Sequence, residues 1–287
     1  MNKQAAELLE RHFDIAFAAP KGIKKLRELI LTLAMQGKLA TQDPSDPPVS
    51  QLLKEIDAEK KRLVKEGKIK SQKPLPEIKR EEVPYPLPFG WEWAKLGSIS
   101  LSSDSGWSPQ CLPEVRTGNN WGVLKVSAVS WGSFNPNENK TLPPGKDPKP
   151  EYEVMPGDFL LSRANTDELV ARSVVVRETP PNLMMSDKIV RFTLTQYVNK
   201  LFINTVNSSN FARAYYASNA SGTSSSMKNV SREVMLNLPV PLPPIAEQHR
   251  IFAKIDQLMA RCDTIEKQID ASTDKQTKLL NAVMAQI

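Results

Sequence analysis

Two histidines and two cysteines are the side chains of this sequence with the greatest potential for catalysis or metal binding. They are His12, His249, Cys111 and Cys262. Metal sites gather such residues, together with carboxylates, at short and characteristic spacings. No such spacing occurs here, and the carboxylates lie on charged helical faces or in loops, where solvation explains them. The pattern therefore predicts neither a metal centre nor a catalytic cluster.

Motifs that cradle phosphate or present a nucleophile are also missing. The sequence contains no GxxxxGK[ST] or GxGxxG loop and no GxSxG elbow. Asn135-Pro136 resembles the start of the Asn-Pro-Pro-aromatic loop of amino-methyltransferases. However, Asn137 and Glu138 follow it, and no glycine-rich cofactor loop precedes it. We interpret the chain as a non-catalytic protein without a cofactor. A nuclease or methyltransferase with an unrecognised site is the alternative.

The composition is that of an ordinary globular protein of one or two domains. Of the 287 residues, 40% are hydrophobic and 24% are charged. A net charge of +6 is spread thinly along the chain, which permits binding to a polyanion without requiring it. No apolar run is long enough to span a membrane and the N-terminus lacks a secretory h-region. With two unpatterned cysteines, this predicts a cytoplasmic protein without a membrane partner.

Hydrophobic periodicity predicts helices in an N-terminal helical region, residues 1–73. Apolar residues recur at helical spacing over residues 20–36, before Gly37, and again from Val49 to about Lys70. Residues 74–87 are predicted to be a linker, because proline is concentrated there and cannot join a helix or a central strand.

Residues 88–243 change in character and predict a β-rich domain. Short β-type runs at 121–130, 158–164, 169–177 and 188–194 are separated by loops rich in Pro, Gly and Asn. One helix is predicted over residues 199–218. The expected fold class is α+β: one mixed, β-rich domain together with long antiparallel or coiled-coil helices.

The last segment, residues 244–287, predicts a long helix with a coiled-coil seam. Its apolar residues follow one another at alternating spacings of four and three, which is a heptad pattern. The seam residues are Ile251, Ile255, Leu258, Cys262, Ile265 and Ile269. Their partner is either the N-terminal helices of the same chain or a second copy. A helix packed on its own domain is the remaining alternative.

Three stretches carry a resemblance to a known family: LRELILTLAMQGKLATQDPSDPPVSQLLKEIDAEKKRLVKEGKIK (26–70), LPFGWEWAKLGSI (87–99) and LPVPLPPIAEQHRIFAKIDQLM (238–259). Together they resemble the specificity subunit of type I restriction–modification systems. The third is the most specific, since it combines strand exit, helix cap and heptad helix in one order. The resemblance extends over nearly the whole chain and is weakest at 101–235.

The resemblance implies sequence-specific binding of double-stranded DNA. Residues 88–243 would be a target-recognition domain that reads one half of a split site, and the paired helices would set the distance to the other half. Methyltransferase (modification) subunits, which bind S-adenosylmethionine and flip the adenine, would be the partners. A restriction and translocation subunit is a further possible partner.

The chain departs from the family because a full specificity subunit carries two recognition domains and this sequence shows one. A head-to-tail homodimer, paired through the helices, would restore the two-domain layout and would demand a palindromic split site. A truncated fragment is the alternative. An oligomerising scaffold that does not bind DNA is the competing function.

Polar and aromatic residues in the loops of residues 88–243 are the candidates for DNA contact, because Arg, Lys, Asn and hydroxyl side chains bond phosphates or base edges. These candidates are Trp107, Asn119, Asn120, Lys125, Arg163, Asn165, Arg172, Lys188, Arg191, Ser225, Lys228 and Asn229. Arg163 and Lys228 are the preferred ones.

Overall fold

A computed structural model describes residues 21–222 and 227–285 of the chain. The chain divides into two compact units: Met1–Pro44 with His249–Ile287, and Ser45–Gln248. Residues 45–48, helix Val49–Lys65 and the stretch 66–87 therefore cluster with the β-rich region. None of the helices in the described ranges has the length and apolar character needed to cross a bilayer.

Helices and short strands alternate along the described residues, so the predicted α+β class is confirmed. The helices are α1 (Gly22–Met35), α2 (Val49–Lys65), α3 (Lys200–Ser208), α4 (Asn210–Asn219), α5 (Arg232–Leu236) and α6 (Ile245–Met284). The strands are β1 (Glu92–Lys95), β2 (Ser100–Ser105), β3 (Gly122–Leu124), β4 (Asn139–Thr141), β5 (Phe159–Ser162), β6 (Ala164–Asn165), β7 (Ser173–Val175), β8 (Leu183–Met184), β9 (Ile189–Leu194), β10 (Lys228–Asn229) and β11 (Pro239–Leu242). Short 3-10 turns occupy Arg80–Glu82, Val126–Val129 and Pro150–Tyr152.

Glycines end the first two helices. Gly37 and Gly67 adopt φ angles of +66° and +69°, a left-handed conformation that a side chain disfavours. Behind them the amides of Lys38 and Lys68 donate 2.9 Å hydrogen bonds to carbonyls five residues back, which closes each helix in a Schellman motif. Helix α1 matches its prediction. Helix α2 ends at Lys65, five residues before the predicted end, because Gly67 stops it.

A four-stranded antiparallel sheet in the order β2-β9-β5-β7 is the centre of the Ser45–Gln248 unit. A second sheet, β4-β3-β8, combines an antiparallel with a parallel pair. Buried apolar residues from both sheets and from the turn Val126–Val129 form one cluster that includes Leu124, Val129, Leu160, Leu183 and Ile189. This shared core fixes the loops of the two sheets relative to each other.

The predicted helix at 199–218 is wrong as a single element, because Ser209 divides it. Ser209 has extended backbone angles, and its hydroxyl accepts a hydrogen bond from the amide of Ala212, so it caps a second helix. Asn199 caps the first helix in the same way, through Leu201 and Phe202. Hydroxyl and amide side chains that bond nearby amides favour helix starts over helix interiors.

The predicted β runs exist but are shorter than their apolar stretches. The run at 121–130 pairs only over Gly122–Leu124 and then enters a 3-10 turn, and the run at 169–177 pairs only over Ser173–Val175. Strand β2, with the sequence SLSSDS, was not predicted, because its serines give no apolar alternation. Long-range pairing with β9 creates this strand.

The Glu-Gln pair at the start of α6 connects distant segments of the Ser45–Gln248 unit. The buried carboxylate of Glu247 accepts a 2.9 Å hydrogen bond from the indole of Trp91. Gln248 accepts from the amide of Asn199 (2.8 Å) and donates to the carbonyl of Pro243 (2.9 Å). Thus the opening and closing stretches of the β-rich region are held together at one point.

Helix α6 contains all six predicted seam residues. Ile251, Ile255 and Cys262 are buried, whereas Leu258, Ile265 and Ile269 are half-buried. The guanidinium of Arg27, on α1, bonds Asp263 (2.6 Å) and Glu266 (2.8 Å), so α1 and α6 lie side by side in their unit. From Asp270 to Ala285 every residue is exposed.

Candidate nucleic-acid interface

One end of the four-stranded sheet brings several predicted site residues together. The register pairs Ser105 with Val190 and Ser162 with Ile189, so β2 and β5 end where β9 begins. Strand β7 begins at the same end, since Ser173 pairs with Leu161. The residues next to these strand ends form what we call the sheet-end surface: Trp107, Arg163, Asn165, Arg172, Lys188, Lys228 and Asn229.

Backbone hydrogen bonds fix the centre of this surface. The amide of Arg163 donates to the carbonyl of Lys188 (2.7 Å), and its carbonyl accepts from the amide of Val230 (2.9 Å). The two-residue strands β6 and β10 pair Asn165 with Lys228. Residues that are 63 to 67 positions apart in the sequence are therefore held at one place on a rigid scaffold.

The turn between Asn165 and Arg172 is braced from outside. Ala171 adopts a φ of +55°, a left-handed conformation that a residue with a side chain holds only when its surroundings impose it. Its carbonyl accepts hydrogen bonds from Asn207 (2.8 Å) and Arg213 (3.0 Å). Burial lowers the pKa of Arg213 to about 10, and the nearby charge of Arg172 acts in the same direction. Arg213 is thus a buried support of the turn.

Arg163 differs from its neighbours because its guanidinium makes no hydrogen bond or ion pair with the described residues. Its Nε is buried without a partner. Two other buried polar atoms also have no hydrogen-bond partner among the described residues: Ser186 Oγ and Asn229 Oδ1. Among the cationic side chains of this surface, Arg163 is therefore the one whose head group bonds none of the described residues.

The other polar side chains of the surface are partly engaged. The amide of Asn165 donates to Ser130 Oγ (2.8 Å), and Arg172 Nε donates to the carbonyl of Glu168 (3.0 Å). The ammonium of Lys228 bonds the carbonyl of Gly222 (2.9 Å) and lies 3.8 Å from Asp167. Lys188 lies 3.4 Å from Asp187 and its side chain is 53% exposed. Lys188 is therefore the more accessible lysine, whereas Lys228 is drawn into its own loop.

The backbone of Trp107 lies at the sheet-end surface, but its ring packs against the apolar core of the second sheet. The ring covers a small apolar cluster of Val123, Leu142 and Met184. The ammonium of Lys149 lies 4.6 Å from the centre of the same ring. The indole therefore contributes to the core of the second sheet and has an occupied face, which leaves it little room to stack on a base.

Four further candidates lie away from the sheet-end surface. The guanidinium of Arg191 lies 3.1 Å from the carboxylate of Asp158, with both side chains 17% exposed, and also bonds two backbone carbonyls. Asn119 and Asn120 lie in an exposed turn, where the backbone of Asn119 is held by Asn182. The ammonium of Lys125 lies 3.6 Å from a carboxylate oxygen of Glu138. Ser225 lies outside the described residues.

Several residues that shape the surface were missed by the sequence analysis. Asp187 and Ser108 share two hydrogen bonds, which join the loop after β2 to the loop before β9. Three other side chains make hydrogen bonds with the turn region, from positions 35 to 43 residues away in the sequence: Ser130, Asn207 and Arg213. None of these contacts has a local sequence signal, because each joins segments that are far apart in the sequence.

Comparisons with known proteins identify the family of this chain. Residues 164–272, which begin inside the sheet-end surface, match the family model of the type I restriction modification DNA specificity domain. Over 277 residues the chain is 40% identical to the type I restriction enzyme EcoEI specificity subunit of Escherichia coli. The chain belongs to the family of type I specificity subunits. The EcoAI specificity subunit, also from Escherichia coli, is 36% identical over 277 residues.

These alignments cover nearly all of the chain but only part of each specificity subunit. They include 96% and 92% of this chain, against 47% of the EcoEI and 44% of the EcoAI subunit. The chain thus spans about half the length of the curated specificity subunits that it matches. A solved chain from a study of complex assembly and conformational transition of the type I R-M system has a TM-score of 0.52 at 17% identity. The structural alignment covers 80% of this chain and 52% of the solved chain, and it shows a shared fold.

Proposed function

We propose that this chain is the DNA-recognition subunit of a type I restriction–modification enzyme and that it reads one half of a split DNA site. The observation that carries this proposal is the sheet-end surface, which gathers four cationic and two amide side chains at one end of a rigid sheet. Guanidinium and amide groups are the side chains that form paired hydrogen bonds with guanine and adenine edges.

Arg163 is the residue that we assign to base reading. Its backbone is fixed on both sides by hydrogen bonds, and its guanidinium has no partner among the described residues. A fixed backbone limits where the guanidinium can reach, and an unpaired donor can gain a partner from DNA. Lys188 is assigned to a phosphate, because its side chain is 53% exposed and its pair with Asp187 is a surface ion pair that a phosphate can replace.

The carboxylates of Asp167 and Asp187 reduce the positive charge of this surface. Together with a net charge of only +6 over the chain, this favours weak binding by the chain alone. The grip on DNA would then depend on methyltransferase subunits, for which this chain is the scaffold, in an assembly that also receives a restriction and translocation subunit. Catalysis belongs to these partners in our proposal, and none is assigned to this chain.

We further propose a head-to-tail pair of copies joined through their helices. Two recognition domains related by a two-fold axis would read two identical half-sites in opposite orientation. The exposed second half of α6, with Leu279, Leu280 and Val283 on its surface, supports this proposal because it offers apolar residues to a partner.

DNA binding by substituted chains, assembled with the methyltransferase subunit, tests the surface. We expect Arg163→Ala to relax the choice at one base pair and to weaken binding to the preferred duplex by about tenfold, since a paired base contact contributes ~1–3 kcal/mol. Lys188→Ala should weaken binding to all duplexes alike and reduce the slope of log affinity against log salt by about one.

Arg177→Ala is the matched control. Arg177 is an exposed arginine that follows β7 at the opposite end of the same sheet. Its loss removes the same charge from the same domain and should leave affinity and sequence choice unchanged. If Arg163→Ala behaved like Arg177→Ala, the sheet-end surface would not be the reading surface. If no duplex were bound at all, the oligomerising scaffold would become the better account.

A further inference from the structure

A groove on the Ser45–Gln248 unit is independent of the sheet-end surface. One wall is helix α2 and the other is the extended stretch 69–75, which runs back along the helix; residues 97 and 98 line it too. The groove has a volume of about 650 Å³. Along α2 its lining residues extend from Leu53 to Val64, which is about 16 Å at the rise of an α-helix.

The floor of the groove is apolar. Leu53, Ile56 and Val64 from the helix face Ile69 and Leu75 from the extended stretch. On α2 these residues, with Asp57 and Lys60 between them, recur every three or four positions, so they form one continuous face. Val64 is 37% exposed, although it is apolar. A face of this kind suits the apolar side of another helix.

The rim of the groove is cationic. Lys60, Lys61, Lys70 and Lys73 line it, against a single carboxylate, that of Asp57. Lys61 lies 2.6 Å from Asp57, so this pair is neutral. Among the described residues, no carboxylate lies within ion-pair distance of Lys70 or Lys73. The rim therefore keeps an uncompensated positive charge beside an apolar floor.

The walls of the groove are held together by hydrogen bonds. The ammonium of Lys60 donates to the carbonyl of Gly97 (2.7 Å) and to the side chain of Gln72 (3.2 Å). Gln72 in turn donates to the carbonyl of Leu101 (2.7 Å). At Gly97 a Cβ atom would lie 2.8 Å from Leu75 Cδ1 and 3.1 Å from the carbonyl oxygen of Leu236, so a larger residue there would push on this wall. The groove is thus preformed, which lowers the entropic cost of binding.

We propose that this groove docks a short acidic segment of a partner protein whose apolar residues recur at helical spacing. The apolar floor would bury the apolar side of the segment, and the lysines of the rim would face its carboxylates. Duplex DNA fits less well, because its phosphates would gain nothing from the apolar residues of the floor and would leave them exposed.

Binding of a designed peptide to the full chain tests the proposal. The probe is a peptide of about 20 residues, with Leu at positions i, i+3, i+4 and i+7 and with Glu or Asp on its remaining positions. A scrambled peptide of the same composition and a peptide with Lys in place of the acids are the probe controls. Fluorescence anisotropy at low salt gives each dissociation constant. We expect binding in the range of tens of micromolar for the acidic amphipathic peptide alone.

Charge reversal on the rim locates the binding site. The double change Lys70→Glu and Lys73→Glu should weaken peptide binding by about fivefold or more, since two attractive charges become repulsive. Lys54→Glu with Lys65→Glu is the matched control. These lysines are exposed on α2 but do not line the groove, so their change should alter binding less than twofold. DNA binding by the assembled complex should be unaffected by either pair.

Three results would overturn the proposal. Equal binding of the scrambled peptide would show that charge alone is recognised. Loss of DNA binding without loss of peptide binding, on reversal of Lys70 and Lys73, would make the groove a DNA contact. A fall in the mass of the complex after the same change, again without loss of peptide binding, would assign the groove to a second copy of this chain.

Discussion

The same residue type takes different parts in this chain according to what surrounds it. Arg191 is fixed by a half-buried carboxylate and two carbonyls, and Arg213 is fixed by two carbonyls of the turn before β7. Arg163 has a fixed backbone and an unpaired guanidinium. The first two are structural arginines, and the third is the one to which our proposal assigns a contact with DNA.

Lys60 gives a prediction about stability and pH. Burial lowers the pKa of Lys60 to about 8, and the charge of Asp57 opposes this shift. In the unfolded chain the pKa of a lysine is about 10.4. Between these values the unfolded state binds more protons, so the free energy of unfolding rises with pH in this window. From pH 8 to pH 10 the free energy of unfolding of the unsubstituted chain should rise by about 1 kcal/mol relative to that of Lys60→Met. This is less than the full pKa shift would give, because the amine keeps contact with water.

Urea unfolding at several pH values measures this difference. Lys61→Met is the control, because Lys61 lies on the same helix with its side chain 75% exposed. Its substitution should leave the pH dependence of the unsubstituted chain unchanged. A difference between the chain and Lys60→Met that stays constant from pH 8 to pH 10 would show that Lys60 keeps its ordinary pKa.

At the scale of elements, Glu247 and Gln248 explain why the stretch 238–259 places two buried polar residues between a proline-rich strand and a long helix. The pairing of β11 with β1 ends at Leu242, just before Pro243 and Pro244. The two polar residues that follow then bond a distant indole, an amide and a carbonyl. The first turn of α6 therefore fastens distant segments of the β-rich region together by hydrogen bonds, in addition to starting a helix. This role accounts for a Glu-Gln pair at a buried position, where polar residues are otherwise costly.

Trp91→Phe tests this fastening. The change removes the indole N–H and leaves a buried carboxylate with one donor fewer, so the free energy of unfolding should fall by about 1–3 kcal/mol. Trp93→Phe is the control: its half-buried ring packs against Tyr85 and Phe211. The control should cost clearly less. Equal losses in thermal or urea unfolding would mean that ring size, and not the bond to Glu247, matters at position 91.

Elements with local signals were predicted well, and elements created by distant contacts were not. Helix α1 and its glycine stop were readable because periodicity and cap lie within a few residues of each other. Strand β2 was not, because it depends on pairing with β9. The break at Ser209 is the exception among local signals, since its hydroxyl cap lies within a run predicted as one helix. The sheet-end surface could be named residue by residue, but its grouping depends on the register of the sheet.

At the scale of the whole molecule, the chain combines a β-rich unit, to which we assign DNA recognition, with a long helix whose far half is exposed. It covers about half of the curated specificity subunits that it matches. In our proposal two copies pair, and each contributes one recognition domain. This arrangement would make the helices the ruler between the two half-sites, and the number of base pairs between them would follow from the helix length.

Mapping methylated adenines is the most direct test of the central claim. The chain is expressed with the methyltransferase subunit encoded beside it, and the host genome is sequenced for new methylation. We predict a split palindromic motif, which Arg163→Ala broadens at one position of each half-site and Arg177→Ala leaves intact. A split but asymmetric motif would contradict the pairing of two identical copies. The absence of new methylation, in cells where both chains are present and folded, would contradict the recognition function itself.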